Sequence, residues 1–379
     1  MTSRRQFVTA TATAISAPAF LRGRFPLFAR TTTEYSARAI DLMKRSVVID
    51  MLSPITLNFP LMAKWQATPE LFTATDFEKY RSSGIHVFHI AVGTGGPDAW
   101  RGTYDFVSGW NSFLAGSDQY FMRIDSVADL DRVKTSGKVG IMIGVQNSEH
   151  FRTPKDVELF YAAGQRVSQL TYNTRNMIGN GSTERRDEGL SDFGVSIVEK
   201  MNAVGMAVDV SHCGDRTSLD AFEVSKKPVL ITHSNVRALT QGHPRCKPDE
   251  VIRKVGQAGS VMGITGVRMF VKGSEPTTVE DALNHFDYVA KMIGIEHVGV
   301  GSDIDLDGYD DMPAEDNKRL RASYKGSYGF RDKIDIDDIA HPKRMYDLTE
   351  GLIRRKYSDD QIIGVLGGNF KRVLAQIWI

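Results

Sequence analysis

Short β-branched or apolar runs recur along this chain, separated by spacers of helical or loop-like pattern. In order they cover residues 46–52, 85–92, 139–145, 166–171, 206–211, 228–232, 260–264 and 297–301. Between them lie amphipathic stretches such as 192–204, where Phe193, Val195, Ile197, Val198 and Met201 recur at helical spacing, and 279–293. Strand and helix alternating eight times predicts an α/β protein of the (β/α)8 TIM-barrel type. An open doubly wound sheet is the alternative, but no glycine-rich phosphate turn follows the first run. Residues 93–138, with Trp100 and Trp110, and residues 304–342, rich in Asp, Tyr and Lys, are predicted as insertions at the rim of the catalytic face. Residues 358–379 are predicted to form one or two closing helices.

Composition adds bounds rather than detail. With 379 residues, 41% hydrophobic and 25% charged, the chain reads as a soluble globular protein, and no Pro/Ser-rich linker divides residues 31–379. The formal charge of +1 gives no electrostatic reason to expect nucleic acid or an anionic membrane as partner. Cys213 and Cys246 are compatible with one disulfide or with two buried thiols. At the amino terminus, Ser3-Arg4-Arg5-Gln6-Phe7-Val8 has the form of a twin-arginine signal, followed by a mildly apolar stretch and the small residues Ala17-Pro18-Ala19. The reading is Tat export of residues 31–379 to the periplasm or another extracytoplasmic space, residues 1–30 being signal peptide and linker. The apolar stretch is too short for a lasting membrane span.

The chemistry sits where strands end. Barrel enzymes carry their reacting groups at the carboxyl ends of the strands. Here those ends read Gln146-Asn147-Ser148-Glu149-His150, Tyr172-Asn173, Asp209-Val210-Ser211-His212, Thr232-His233-Ser234-Asn235 and Ser302-Asp303-Ile304-Asp305. One strand-end histidine is ordinarily a satisfied structural residue. Two on neighbouring strands, His212 and His233, are placed to meet at one divalent metal, with Asp303 two strands further round to supply a carboxylate to the same centre or to take a proton there. His86, inside an apolar run, reads as packing, and His89, His150, His243, His285, His297 and His341 carry no separate signal.

These segments resemble the renal (membrane) dipeptidase family, peptidase M19, of the amidohydrolase superfamily. The likeness rests on Asp209-Val210-Ser211-His212, on residues 232–239 and 243–245, on Gly301-Ser302-Asp303-Ile304-Asp305 and on Leu366-Gly367-Gly368-Asn369-Phe370. It implies hydrolysis of dipeptides at a binuclear zinc site in a metallo-dependent hydrolase barrel. His212 and His233 would hold one metal, Asp303 would move the proton, and Arg245 would hold the dipeptide carboxylate, with Tyr172 and Asn173 also at the substrate. The sequence departs from the family pattern at the other metal. Leu52 and Pro54 stand where a His-x-Asp pair is expected, Gln146 where a glutamate bridges the metals, and Tyr172 where a substrate-facing histidine is expected. The expectation is therefore a site with one zinc ion rather than two, acting on a small peptide. Alternatives are an enzyme redirected to tailoring a peptide natural product such as a siderophore, or a peptide-binding protein without catalysis. Dimers among relatives make a homodimer a further expectation.

Overall fold

The computed structural model describes residues 24–26 and 34–378; the twin-arginine segment and Ala17–Ala19 lie outside them. Eight parallel strands form the centre: β1 (Ile49–Asp50), β2 (Val87–Val92), β3 (Val139–Val145), β4 (Gln165–Gln169), β5 (Ala207–Asp209), β6 (Ile231–Ser234), β7 (Met262–Ile264) and β8 (Val298–Val300). Strands β1 to β5 pair in order, and so do β6 to β8. Backbone hydrogen bonds join the two sets: Val210 N to Leu230 O (3.0 Å) on one side, Met51 N to Val300 O (2.9 Å) on the other. The cylinder is closed, which removes every sheet edge.

The predicted helices form with their own stop signals. Helix Asp192–Val204 begins at Ser191, whose side chain accepts from Gly194 N at 2.9 Å, and ends at Gly205 with φ 83°. Helix Val279–Ile293 begins with a capping box between Thr278 and Asp281. Along β2, Phe88 and Ile90 are buried against the outer helices, Phe88 meeting Tyr80 edge-on at 6.0 Å. Val87, His89 and Ala91 alternate with them and face the interior. The Leu-Gly-Gly-Asn-Phe segment closes the barrel beneath β8. Asn369 Nδ2 donates to Ile295 O (2.9 Å) and Val298 O (2.8 Å), and the Phe370 ring packs onto Gly299.

A buried ion pair ties β1 to β8 at their carboxyl ends. Arg344 Nη2 lies 3.0 Å from Asp50 Oδ2, with both side chains excluded from solvent. The other Asp50 oxygen accepts from Ser302 N at 2.8 Å, and Arg344 also donates to Ser53 Oγ (2.9 Å) and Asp305 O (2.8 Å).

The insertion at 93–138 differs from expectation. Only its first residues, Gly93, Gly95 and Gly96, reach the cavity at the barrel mouth. Its aromatic side chains Trp110 and Phe113 are buried in the core, and its short strand Phe121–Arg123 pairs with residues 139–141, the amino-terminal half of β3. Burying those rings draws the segment down the barrel wall rather than over the mouth. Residues 304–342 supply Tyr309, Tyr324 and Tyr328 to the cavity. Cys213 and Cys246 are both buried free thiols. Among the described residues no helix is long and apolar enough to cross a membrane.

Candidate active site

A cavity of about 660 Å³ opens at the carboxyl ends of the strands. Leu52 and Pro54 line it from β1, Gln146 from β3, Tyr172 and Asn173 from β4, and Asp303 from β8. His212 and His233 lie just beneath, almost wholly buried (1% and 0% exposed), with the Tyr172 ring stacked on His212 at 4.2 Å.

The two imidazoles converge, their Nε2 atoms 2.9 Å apart. Their outer nitrogens decide which tautomers are present. Asp209, as a carboxylate, only accepts, and it takes the Ser211 hydroxyl at 2.6 Å and the Thr232 hydroxyl at 2.7 Å. Thr232 has then given its one hydrogen, so its oxygen accepts from His233 Nδ1–H at 2.8 Å. Asn173 Oδ1 accepts both from Ser182 Oγ (3.2 Å) and from His212 Nδ1–H (2.8 Å). With the Asn173 amide oxygen facing His212, both Nε2 atoms present lone pairs to each other. Burial, reinforced by the positive charge of Arg245, holds both imidazoles well below their ordinary range, so a bridging proton is disfavoured. A shared cation would resolve the conflict. Nδ1–H donation to a fixed acceptor is also what orients a histidine toward a metal.

Asp303 sits across the cavity. Burial pushes its carboxyl up to about 7, with Arg245 opposing the rise and Asp50 adding to it. The Tyr309 hydroxyl donates to the carboxyl, and Asp303 N is fixed to Leu52 O at 2.7 Å. Asp303 and Asn173 both occupy the left-handed region, at φ 62° and 59°. Such conformations cost about 1 kcal/mol or more outside glycine and are concentrated at working sites. Gly181 permits the Asn173 turn: a Cβ there would fall 2.0 Å from the Asn173 carbonyl carbon.

Arg245 lies behind the histidines, fully buried. Its Nη1 donates to Ser211 O (2.5 Å) and Nη2 to His233 O (2.9 Å), while Nε has no partner. Lys247 completes a clamp on the same turn. Its ammonium donates to Val210 O (2.6 Å) and Cys213 O (2.8 Å), and burial brings it down to about 8. Residue patterns alone did not reveal Lys247. Gln146 lines the cavity, and its buried Oε1 has no hydrogen-bond partner.

Sequence reasoning also passed over His89. It is 2% exposed inside the barrel, its Nδ1–H donating to Met51 O at 2.6 Å, and its Nε2 is buried without a partner. The ring lies across Gly144, where a Cβ would come within 1.9 Å of Nε2. A glycine in the middle of the neighbouring strand was the available signal. Other histidines are satisfied structurally: His86 Nδ1 accepts from Val48 N (3.1 Å), His150 meets Asn147 O (3.1 Å) and Gln165 (3.2 Å), and His285 Nδ1 accepts from Val236 N (3.0 Å).

A two-metal centre does not fit these residues. Among the described residues no set of three or more His, Cys, Asp or Glu side chains is grouped to hold a metal ion, and Leu52 and Pro54 offer no side-chain donor. The facing imidazoles would offer two nitrogen donors to a single ion.

Comparison with known proteins bears on the fold and the family. An amidohydrolase from Pseudomonas aeruginosa is 29% identical, with a TM-score of 0.76 over 90% of this chain and 99% of that one. A metallo peptidase from Rhodobacter sphaeroides, solved with a phosphinate mimic of the dipeptide L-Ala-D-Ala, shares the fold at 16% identity and a TM-score of 0.72, over 88% of this chain and all of that one. An uncharacterized dipeptidase of Schizosaccharomyces pombe is 30% identical over 247 residues, 63% of this chain and 53% of that protein. Dipeptidase verJ of Clonostachys rogersoniana is 31% identical over 245 residues, 64% of this chain and 56% of that protein. The matched region thus spans about half the length of these curated relatives. Residues 36–323 match the family described as membrane dipeptidase, peptidase family M19, and the chain belongs to that family.

Proposed function

We propose that the protein hydrolyses dipeptides or small peptide-like amides with one divalent metal ion, most simply zinc, held by His212 and His233. The observation that carries this reading is the pair of buried Nε2 atoms facing each other at 2.9 Å. Gln146 Oε1 and solvent would complete the coordination as neutral donors. When bound, such an ion supplies Lewis acidity and lowers the pKa of coordinated water toward about 7.

The side chains account for the rest of the reaction. Asp303, titrating near neutrality, accepts a proton from the attacking water and returns it to the leaving amine. Tyr309 steadies the charged form through its hydroxyl. The Arg245 guanidinium, expected from the family resemblance to hold a substrate carboxylate, is instead buried behind the histidines, where it holds Ser211 O and His233 O and adds positive charge beneath the site. Tyr172 covers His212 on the cavity side and limits access of bulk water. The Ser3–Val8 pattern supports twin-arginine export, which would put this activity outside the cytoplasm.

A base works only when deprotonated, so hydrolysis of simple dipeptides is expected to rise as pH increases through about 7. Asp303→Asn is expected to lower kcat by about 100-fold or more while metal content stays at the wild-type level. Wild-type turnover in Asp303→Asn would remove the aspartate from the mechanism.

A further inference from the structure

We infer that Glu149 binds an ammonium group of the substrate, so that the cavity selects peptides carrying a free amine. This rests on the hydrolase reading above and names its substrate class. The charged side chains that line the cavity are Glu149, Arg175, Asp303 and Lys325. Lys325 is spent on Glu184 at 3.0 Å, and Arg175 turns to Glu188 at 3.8 Å. Asp303 is the group assigned to proton transfer. Glu149 alone among them is a carboxylate without a cation: among the described residues it forms no ion pair, and its one hydrogen bond comes from a neutral amide. The adjacent His150 does not serve, because its ring nitrogens meet Asn147 O and Gln165.

The carboxylate is also held in place. Glu149 lies half-buried in the turn Ser148–His150 after β3, three residues beyond Gln146. Its Oε2 accepts from Asn147 Nδ2 at 3.1 Å. The Asn147 amide is fixed in turn, since Nδ2 also donates to Thr94 O (2.9 Å) and Oδ1 accepts from Asn176 Nδ2 (2.9 Å). Gly95 makes the room: a Cβ there would fall 2.9 Å from Glu149 Oε2. Among the described residues nothing donates to Oε1, which leaves that oxygen for a ligand. A neutral amide satisfies one lone pair but leaves the negative charge unbalanced. An ammonium brought into the cavity supplies both the opposite charge and the missing donors, in a charge-assisted hydrogen bond. The α-ammonium of a free amino terminus and the side-chain ammonium of a lysine-like residue offer this same chemistry.

The test is calorimetric binding of three non-hydrolysable phosphinate dipeptide mimics to the metal-loaded protein. The first is alanine-like at its amino-terminal residue with a free amine, the second is its acetylated counterpart, and the third is acetylated with a lysine-like side chain. An ammonium-bearing mimic is expected to bind about tenfold or more tighter than the neutral one. A gain confined to the first mimic assigns the α-ammonium, and a gain confined to the third assigns the side-chain ammonium. Glu149→Gln keeps the shape of the side chain and removes its charge. It is expected to bring the ammonium-to-neutral ratio close to one while metal content stays at the wild-type level. Thermal unfolding confirms that the variant is folded, and Glu149→Asp, which keeps the charge one methylene shorter, is expected to retain part of the preference. Equal affinity for all three mimics, or an ammonium preference unchanged in folded Glu149→Gln, would overturn the assignment while leaving the hydrolase reading intact. Failure of all three mimics to bind the metal-loaded wild type would remove both.

Discussion

Replacing His212 with alanine is expected to strip the protein of its metal ion and to reduce dipeptide hydrolysis by about 1,000-fold or more. In the proposed site only two imidazoles would face the ion, with a neutral amide and solvent as the other donors, so losing one ring would leave no chelate. The barrel itself should persist. The turn that carries His212 is held by backbone contacts that the substitution does not touch, from Arg245 to Ser211 O and from Lys247 to Val210 O and Cys213 O. Elemental analysis, a dipeptide assay and a thermal melt on the same preparation check all three parts. A His212→Ala protein that melts normally, holds metal and hydrolyses dipeptides would place the metal elsewhere.

The second large effect concerns stability. Arg344→Met is expected to destabilise the fold by about 3–5 kcal/mol, because it leaves Asp50 buried without its cation. The damage should spread to the site. Asp50 holds Ser302 N, the residue before Asp303, and Arg344 holds the carbonyl of Asp305 two residues after it. Combining Arg344→Met with Asp50→Leu should recover much of the loss, since two apolar partners carry no unpaired buried charge. Chemical denaturation of the single and double variants measures both terms. A loss below about 1 kcal/mol for the single variant would mean that water reaches this pair.

The fold was legible because its strands are short apolar runs broken at regular intervals, and all eight fall at or beside the predicted segments. The least accurate was β6: predicted at 228–232 and observed at Ile231–Ser234, since residues before it join β5 through a single bridge at Leu230. The strand Phe121–Arg123 left no readable pattern, being three residues long and paired only with the start of β3. At the site, the meeting of His212 and His233 follows from neighbouring strands of a closed barrel, and the structure brings them together. His89 could not be assigned a face from sequence, because a parallel strand buried on both sides shows no alternation of polarity to read. The burial of Arg245, and the hydrogen bonds that set the imidazole tautomers, depend on Asp209, Thr232 and Asn173 meeting in space, which spacing along the chain does not encode.

The central claim is one ion on two facing imidazoles, beside a wall that has lost its donors. Elemental analysis of protein purified without added metal tests it directly. The account predicts about one zinc ion per chain, absent from both His212→Ala and His233→Ala. Two ions per chain, or none in a protein that still cleaves dipeptides, would contradict it.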